Sequence, residues 1–274
     1  MIHQTIQLWE QRDYQSQGND GFQPTLVTYL LDGPKTRGAV LICPGGGYGF
    51  TSEREAEPIA LQFNAAGYHA FVVYYSVAPR RHPQPLLDVS RAMCIIRENA
   101  EKWRVHPEKI AVCGFSAGGH LAASLGVFWQ QSYLQNADGI QNSLNRPDAL
   151  ILCYPVITSG SYAHRGSFDN LLGENPSQAL LDEMSLEHQV NDQTPPAFIW
   201  HTFNDNAVPV ENSLLFASEL RAHGVPFELH IYPEGSHGLS LATEETDDGS
   251  MGIHPHVATW IGLCTEWLRQ INKE

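Results

Sequence analysis

The chain has few basic residues: 274 residues include 16 lysines and arginines against 30 aspartates and glutamates, a formal net charge of −14. Recognition of nucleic-acid phosphates needs clustered cations, so this composition argues against a nucleic-acid-binding protein. No apolar run approaches the ~20 residues that cross a bilayer, and we expect no transmembrane helix and no membrane partner. Residues 1–7 lack the basic-then-apolar order of a signal peptide, so we expect a cytoplasmic protein.

Cysteine is also scarce and odd in number, with five in the chain. Three of them, Cys43, Cys113 and Cys153, lie inside apolar runs of the kind that form strands. This favours buried, reduced thiols over a disulfide framework. Because 42% of the residues are hydrophobic, the chain can build one large core, and we expect a single domain over residues 1–274.

Short apolar runs alternate with helix-forming stretches along most of the chain. Segments 5–9 and 26–31 predict an antiparallel sheet edge. Buried strands are predicted at 39–43, 70–75, 110–113, 149–153, 197–201 and 227–232, and helices at 55–66, 86–103, 210–223 and 256–271. The alternation predicts an α/β fold with a mostly parallel central sheet and helices on both faces. Residues 156–195 show no strand pattern and are interpreted as a small lid insertion.

The most informative motif is GFSAGGH at residues 114–120, placed between an apolar strand and a helix-forming stretch. Gly-x-Ser-x-Gly in that context is typical of a nucleophile elbow, which makes Ser116 the candidate nucleophile. Gly114 and Gly118 avoid side-chain clashes around a sharp turn. The N–H of Ala117, at the start of the helix, is free to face a developing oxyanion. The alternative interpretation is an ordinary glycine-containing turn.

A candidate acid and a candidate base follow two later strands, so that the order along the chain is nucleophile, acid, base. Asp205 comes after the strand at 197–201, and His237 comes after the strand at 227–232. In an α/β sheet, ligands bind beyond the carboxyl ends of the strands, where Ser116, Asp205 and His237 all fall. His237 can accept the serine proton and return it to a leaving group, while Asp205 holds the imidazole in the required tautomer.

Each partner has rivals in a chain with 13 histidines. His120 is in the first turn of the elbow helix, where a packing or hydrogen-bonding role is preferred. His201 ends a strand and could touch the site, but it precedes the proposed acid. Asp192 comes before Pro195 rather than after a strand, so Asp205 is the better candidate acid.

The motif PGGGY at residues 44–48 ends an early strand and is expected beside the elbow. The N–H groups of Gly46 and Gly47, unhindered by side chains, would complete an oxyanion hole with Ala117. A flexible turn is the alternative. The histidines at 254 and 256 have no acidic or cysteine partner with ligand spacing, so they are assigned to the start of the final helix. We expect no metal and no cofactor.

Taken together, these motifs resemble the α/β-hydrolase superfamily, and more narrowly bacterial esterases and lipases related to acetyl-xylan esterases and hormone-sensitive-lipase-like carboxylesterases. The resemblance rests on residues 44–48, 114–120, 201–202 with Asp205, 208–213 and 237–238. Pro44 stands where the hormone-sensitive-lipase group carries a histidine, which makes the acetyl-xylan-esterase-like relatives closer. The resemblance implies short-chain acyl ester substrates, with acetylated sugars or xylo-oligosaccharides among them.

The resulting expectation is a serine carboxylesterase that acts on a small-molecule ester through an acyl-enzyme. A serine peptidase acting on short peptides would use the same triad. A non-catalytic binding protein on this fold is the third alternative, because fold does not fix function. The sequence leaves open the acyl chain length, the alcohol, the movement of the lid and the oligomeric state, including a homo-oligomer.

Overall fold

An eight-stranded sheet runs through the computed structural model, which describes residues 1–10, 21–140 and 143–272. The strands are β1 (Ile2–Gln7), β2 (Thr25–Leu30), β3 (Arg37–Cys43), β4 (His69–Tyr74), β5 (Val105–Phe115), β6 (Ala149–Cys153), β7 (Ala197–Thr202) and β8 (Phe227–Tyr232). Their order in the sheet is β1-β2-β4-β3-β5-β6-β7-β8. The strands from β4 to β8 in this order pair in parallel, while β1–β2 and β2–β4 are antiparallel.

The predicted antiparallel edge is confirmed, but its first strand begins and ends earlier than expected. Strand β1 spans residues 2–7 rather than 5–9, and Ile2 pairs with Leu30. The chain leaves the sheet at Leu8, which is buried, and the Trp9 indole donates a hydrogen bond to Asp88 at 2.8 Å. A tertiary contact therefore ends this strand, and the local pattern could not reveal it.

Helices cover both faces of the sheet, as the alternating pattern predicted. They are α1 (Glu57–Ala65), α2 (Gln84–Glu98), α3 (Ala100–Trp103), α4 (Ala117–Phe128), α5 (Ser132–Gln135), α6 (Arg165–Leu172), α7 (Gln178–Glu183), α8 (Glu211–Ala222) and α9 (Trp260–Ile271). Short 3-10 turns lie at Glu53–Glu55, Leu186–Gln189 and Val257–Thr259. The central strands bury side chains on both faces in two hydrophobic clusters, which explains their continuous apolar runs.

Three predicted helices differ from the observed ones by more than one residue at an end, whereas 210–223 matches α8 to within one residue. The stretch 86–103 is divided at Asn99, whose side chain donates to the Ile95 carbonyl at 2.8 Å and competes with the helical pattern. The stretch 55–66 begins as a 3-10 turn, and α1 then starts with a proline in its first turn, where a missing N–H costs nothing. The final helix is likewise preceded by a 3-10 turn.

Residues 156–195, all of which the structure describes, carry no strand and contain α6, α7 and the turn Leu186–Gln189. The side chains of Phe168, Leu171 and Leu172 are buried in the core cluster, which favours a role in anchoring this segment. Its function as a lid stays a prediction. All five cysteines are buried, as expected. Within the described ranges, no helix is both long enough and apolar enough to cross a bilayer.

Candidate active site

Ser116 occupies a sharp turn between β5 and α4. Its backbone has φ 54° and ψ −118°, a region that side-chain-bearing residues rarely adopt. A Cβ at Gly114 would lie 2.0 Å from the Gly118 carbonyl oxygen, and a Cβ at Gly118 would lie 2.1 Å from that of Cys43. The two glycines are therefore required by close backbone approach, for the steric reason that the motif predicted.

The structure brings Ser116, His237 and Asp205 into one hydrogen-bonded chain. The Ser116 Oγ lies 2.7 Å from His237 Nε2, and His237 Nδ1 lies 2.7 Å from Asp205 Oδ2. The three residues follow β5, β8 and β7, whose carboxyl ends meet at one edge of the sheet. The rival Asp192 is exposed and its carboxylate bonds Gln193 instead. This geometry suits nucleophile, base and orienting acid.

Asp205 is held as a carboxylate by converging donors. Its Oδ1 accepts the backbone N–H groups of Ala207 and Val208, both at 2.9 Å. Burial alone would raise the pKa of Asp205, but hydrogen bonds from His201, His237 and Val208 outweigh burial and hold that pKa well below its usual range. A charged Asp205 can accept the His237 Nδ1–H and leave Nε2 free to accept the Ser116 proton.

His201, a rejected candidate base, contacts the candidate acid Asp205 rather than the candidate nucleophile Ser116. Its Nε2 lies 2.9 Å from the Val208 carbonyl oxygen and 3.3 Å from Asp205 Oδ2, and its Nδ1 lies 2.8 Å from Ser213 Oγ. The ring is fully buried. His201 therefore orients the Asp205 loop, a role that its position four residues before Asp205 could have suggested.

His120 has the packing and hydrogen-bonding role that was preferred for it. Its Nδ1 lies 2.9 Å from the Tyr48 hydroxyl and its Nε2 lies 3.0 Å from the Met184 carbonyl oxygen. Complete burial lowers the pKa of His120 to about 4, so the ring is neutral near pH 7. The residue ties the elbow helix to segment 156–195.

A pocket of about 300 Å³ opens over Ser116. It is lined by Gly46, Gly47, Phe50, Ser52, Arg54, Glu55, Ser116, His164, His237 and Gly238. Gly46 and Gly47 both have positive φ, and Ala117 begins α4 directly after the serine. Within the described ranges, no backbone hydrogen bond is made by the N–H groups of Gly46, Gly47 or Ala117. All three stay predicted oxyanion donors.

Several pocket residues were missed by sequence reasoning. Glu55 is buried, accepts the Gly45 N–H at 2.7 Å and accepts the Tyr154 hydroxyl at 2.6 Å. His164 borders the pocket with its Nδ1 2.8 Å from Ser167 Oγ, and burial lowers its pKa. Arg54 donates to the Gly238 and Thr246 carbonyls. The only available signal was the position of Arg54 and Glu55 shortly after the PGGGY motif.

No cluster of three or more histidine, cysteine or carboxylate side chains suited to a metal ion occurs among the residues that the structure describes. His254 Nε2 lies 3.2 Å from the Met251 carbonyl oxygen, and the His256 ring packs on Tyr232. His256 directly precedes the 3-10 turn before α9, as expected for the start of the final helix.

A protein-family model, BD-FAE, matches residues 29–220, which include the elbow motif at 114–120 and the glycine loop at 44–48. The chain belongs to the BD-FAE family. It is 42% identical to endo-1,4-beta-xylanase B of Butyrivibrio fibrisolvens and 30% identical to an acetylxylan esterase of Xylanibacter ruminicola, over 89% of this chain in both cases. The chain spans only 39% and 49% of the length of these two relatives.

Solved structures extend the similarity of this BD-FAE chain to almost all of its length. An acetyl ester-xyloside bifunctional hydrolase from Caldicellulosiruptor lactoaceticus is 43% identical, with a TM-score of 0.90 over 98% of this chain and 96% of that chain. A carboxylesterase from Lactobacillus plantarum is 27% identical, with a TM-score of 0.82 over 99% and 98%. The expected α/β-hydrolase fold and the relationship to esterases are confirmed.

Proposed function

We propose that this chain is a serine carboxylesterase for short-chain acyl esters, with acetylated sugars as its preferred class of substrate. The observation that carries the proposal is the chain of two 2.7 Å contacts from Ser116 through His237 to Asp205, at the floor of an open pocket. Nucleophile, base and acid in hydrogen-bond reach of one another are what acyl transfer requires.

In the proposed first step, Ser116 Oγ attacks the ester carbonyl carbon while His237 Nε2 takes the hydroxyl proton. The carbonyl oxygen becomes an oxyanion, which the N–H groups of Ala117 and of Gly46 or Gly47 would stabilise. His237 then donates the proton to the alkoxy oxygen, the carbon–oxygen bond breaks and the alcohol leaves. The acyl group stays bound to Ser116.

In the second step, water attacks the acyl-enzyme and His237 acts as base again. The oxyanion reforms in the same site, and the proton on His237 returns to Ser116 Oγ as the carboxylic acid leaves. Asp205 stays ionised throughout and stabilises the imidazolium, which its low pKa supports.

The character of the pocket supports a small acyl group and a polar alcohol. Of the described residues that line it, Phe50, 62% exposed, is the one large apolar side chain, while Ser52, Arg54 and His164 offer polar groups. A long acyl chain would need an apolar channel, whereas a sugar hydroxyl can hydrogen-bond to such a lining. The names of the acetylxylan esterase and of the acetyl ester-xyloside hydrolase point to the same class.

The pocket does not support the xylanase activity that the name of the Butyrivibrio fibrisolvens relative states. Glycoside hydrolysis uses a pair of carboxyl groups that flank the scissile bond. Among the residues that the structure describes, Glu55 is the one carboxylate that lines the pocket, and hydrogen bonds from Gly45 and Tyr154 occupy its two oxygens. We therefore assign ester hydrolysis, and not glycoside hydrolysis, to this chain.

The assignment is tested by Ser116→Ala with Ser124→Ala as matched control. Ser124 is a buried serine on α4, the helix that follows Ser116, and its Oγ makes no hydrogen bond to any residue that the structure describes. We expect Ser116→Ala to lose at least about 10³-fold in kcat on 4-nitrophenyl acetate, and Ser124→Ala to retain wild-type kcat. Substantial hydrolysis by Ser116→Ala would overturn the proposed mechanism.

Substrate class is tested with 4-nitrophenyl esters from acetate to decanoate, together with acetylated xylose and xylo-oligosaccharides. We expect the highest kcat/KM at acetate and turnover of the sugar esters. Preference for longer chains without sugar-ester turnover would indicate a general carboxylesterase. Higher kcat/KM on aminoacyl amides than on esters would indicate a peptidase instead.

A further inference from the structure

One carboxylate beside the pocket takes no part in the proposed proton transfers. Glu55 is only 4% exposed, and both of its oxygens accept hydrogen bonds. A buried carboxylate lowers stability unless it is well paired, so its presence at this point needs an explanation beyond packing. Its two donors belong to different parts of the active site.

The first donor connects Glu55 to the glycine loop. Glu55 Oε2 accepts the N–H of Gly45, the residue directly before the candidate oxyanion donors Gly46 and Gly47. A Cβ placed on Gly45 would lie 2.6 Å from Glu55 Oε2 and 3.1 Å from Ser116 Cβ. The carboxylate therefore fixes the loop at the point where it passes the serine.

The second donor connects Glu55 to the loop that carries His237. Glu55 Oε1 accepts the Tyr154 hydroxyl, which in turn accepts the N–H of Ser240 at 2.9 Å. The Tyr154 ring also packs edgewise on the His237 ring, with centroids 5.1 Å apart. Tyr154 has φ 37°, a conformation that a bulky residue keeps only where its surroundings enforce it.

We propose that Glu55 is a positioning residue. Through Gly45 it holds the glycine loop at residues 44–48, and through Tyr154 it holds the loop that carries His237, each at a fixed distance from Ser116. The inference rests on the esterase function proposed above. Catalysis by oriented groups is sensitive to shifts of about 1 Å, which can lower the rate on the order of 10²-fold. Glu55 acts on the rate through the placement of other groups and needs no contact with the substrate.

The decisive variant is Glu55→Gln. An amide can still accept the Gly45 N–H with its oxygen, but its NH₂ then faces the Tyr154 hydroxyl, whose proton loses the acceptor that Glu55 provides. The side-chain shape and the hydrogen bond from Gly45 are kept, while the hydrogen bond from the Tyr154 hydroxyl is lost. We expect kcat to fall by about 10- to 100-fold with KM within about threefold of wild type.

Two further variants separate positioning from general destabilisation. Tyr154→Phe keeps the ring but removes the link between Glu55 and Ser240, and we expect the same pattern of lower kcat and unchanged KM. Glu53→Gln is the matched control, because Glu53 is exposed on the same 3-10 turn and its carboxylate accepts a hydrogen bond from the Tyr74 hydroxyl. It is expected to retain wild-type kcat and KM.

The experiment compares the wild type, Glu55→Gln, Tyr154→Phe, Glu53→Gln and Ser116→Ala. The melting temperature of each protein is measured first, and kcat and KM on 4-nitrophenyl acetate are then measured well below it. A lower kcat at constant KM in Glu55→Gln and Tyr154→Phe supports the proposal. Wild-type kcat in folded Glu55→Gln, or a raised KM with unchanged kcat, overturns it. If Glu55→Gln does not fold, Tyr154→Phe decides by the same criteria. Activity in Ser116→Ala would instead refute the esterase mechanism itself.

Discussion

Replacing Asp205 by asparagine probes the buried end of the proposed triad. Asp205 Oδ1 accepts two backbone N–H groups, from Ala207 and Val208, each at 2.9 Å. Asparagine must place its carbonyl oxygen there, because an NH₂ group would face two donors. The NH₂ group then faces His237 Nδ1, which has to become the acceptor. The imidazole is therefore held in the tautomer that carries its proton on Nε2.

The size of the effect follows from that tautomer. A protonated Nε2 cannot accept the Ser116 proton, so we expect kcat to fall about 10³- to 10⁴-fold, equivalent to about 4–5.5 kcal/mol in activation free energy. The Asp205 side chain is fully buried and does not reach the pocket, so KM is expected to change by less than about threefold. Replacing charged hydrogen bonds by neutral ones costs about 1–3 kcal/mol of folding stability.

The assay is hydrolysis of 4-nitrophenyl acetate at several substrate concentrations, with thermal unfolding followed by circular dichroism on the same samples. Asp192→Asn is the control, since Asp192 is exposed and its carboxylate accepts a hydrogen bond from the neighbouring Gln193 side chain. It is expected to match the wild type in kcat and melting temperature. A folded Asp205→Asn protein with more than a tenth of wild-type kcat would refute the orienting role of Asp205.

Two stability predictions complete the set. Gly118→Ala brings a Cβ within 2.1 Å of the Cys43 carbonyl oxygen and should lower the free energy of unfolding by about 3 kcal/mol or more. Gly262→Ala, in open space on α9, should raise the free energy of unfolding by up to about 1 kcal/mol. Urea unfolding of both variants measures this difference, and similar free energies of unfolding would contradict the prediction. His120 has a pKa of about 4 in the folded protein against about 6.5 when unfolded. The unfolded chain therefore binds more protons between these values, and His120 should remove up to about 3 kcal/mol of stability as pH falls from 7 to 4. In His120→Asn the loss of stability over that pH range should be smaller, and an unchanged pH dependence of urea unfolding would contradict the argument.

The strands of the sheet could be predicted well because burial on both faces selects continuous apolar runs. Segments such as 39–43, 149–153 and 197–201 fall inside β3, β6 and β7. The bounds were less accurate where tertiary contacts end an element. The early end of β1 and the break at Asn99 both depend on hydrogen bonds that a hydrophobic pattern does not encode.

The candidate triad was predictable because each member follows its own strand in a characteristic order. Parallel strands direct their carboxyl ends to one edge, so Ser116, Asp205 and His237 converge whenever the sheet forms. Glu55 and Tyr154 were not predicted as parts of this site, and His201 was predicted only as a residue that could touch it. Their residue types are common, and their partners are determined by packing between segments as much as 99 residues apart.

The sequence by itself determined the α/β class, the steric need for glycine at 114 and 118, and the order of the candidate nucleophile, acid and base. These properties depend on local backbone geometry and on the periodicity of buried side chains. Only the tertiary structure decided that His237 reaches both Ser116 and Asp205 at 2.7 Å, and that Glu55 links Gly45 to Tyr154. Hydrogen bonds of this kind need atoms placed to within a few tenths of an ångström, and that placement comes from packing of the whole domain.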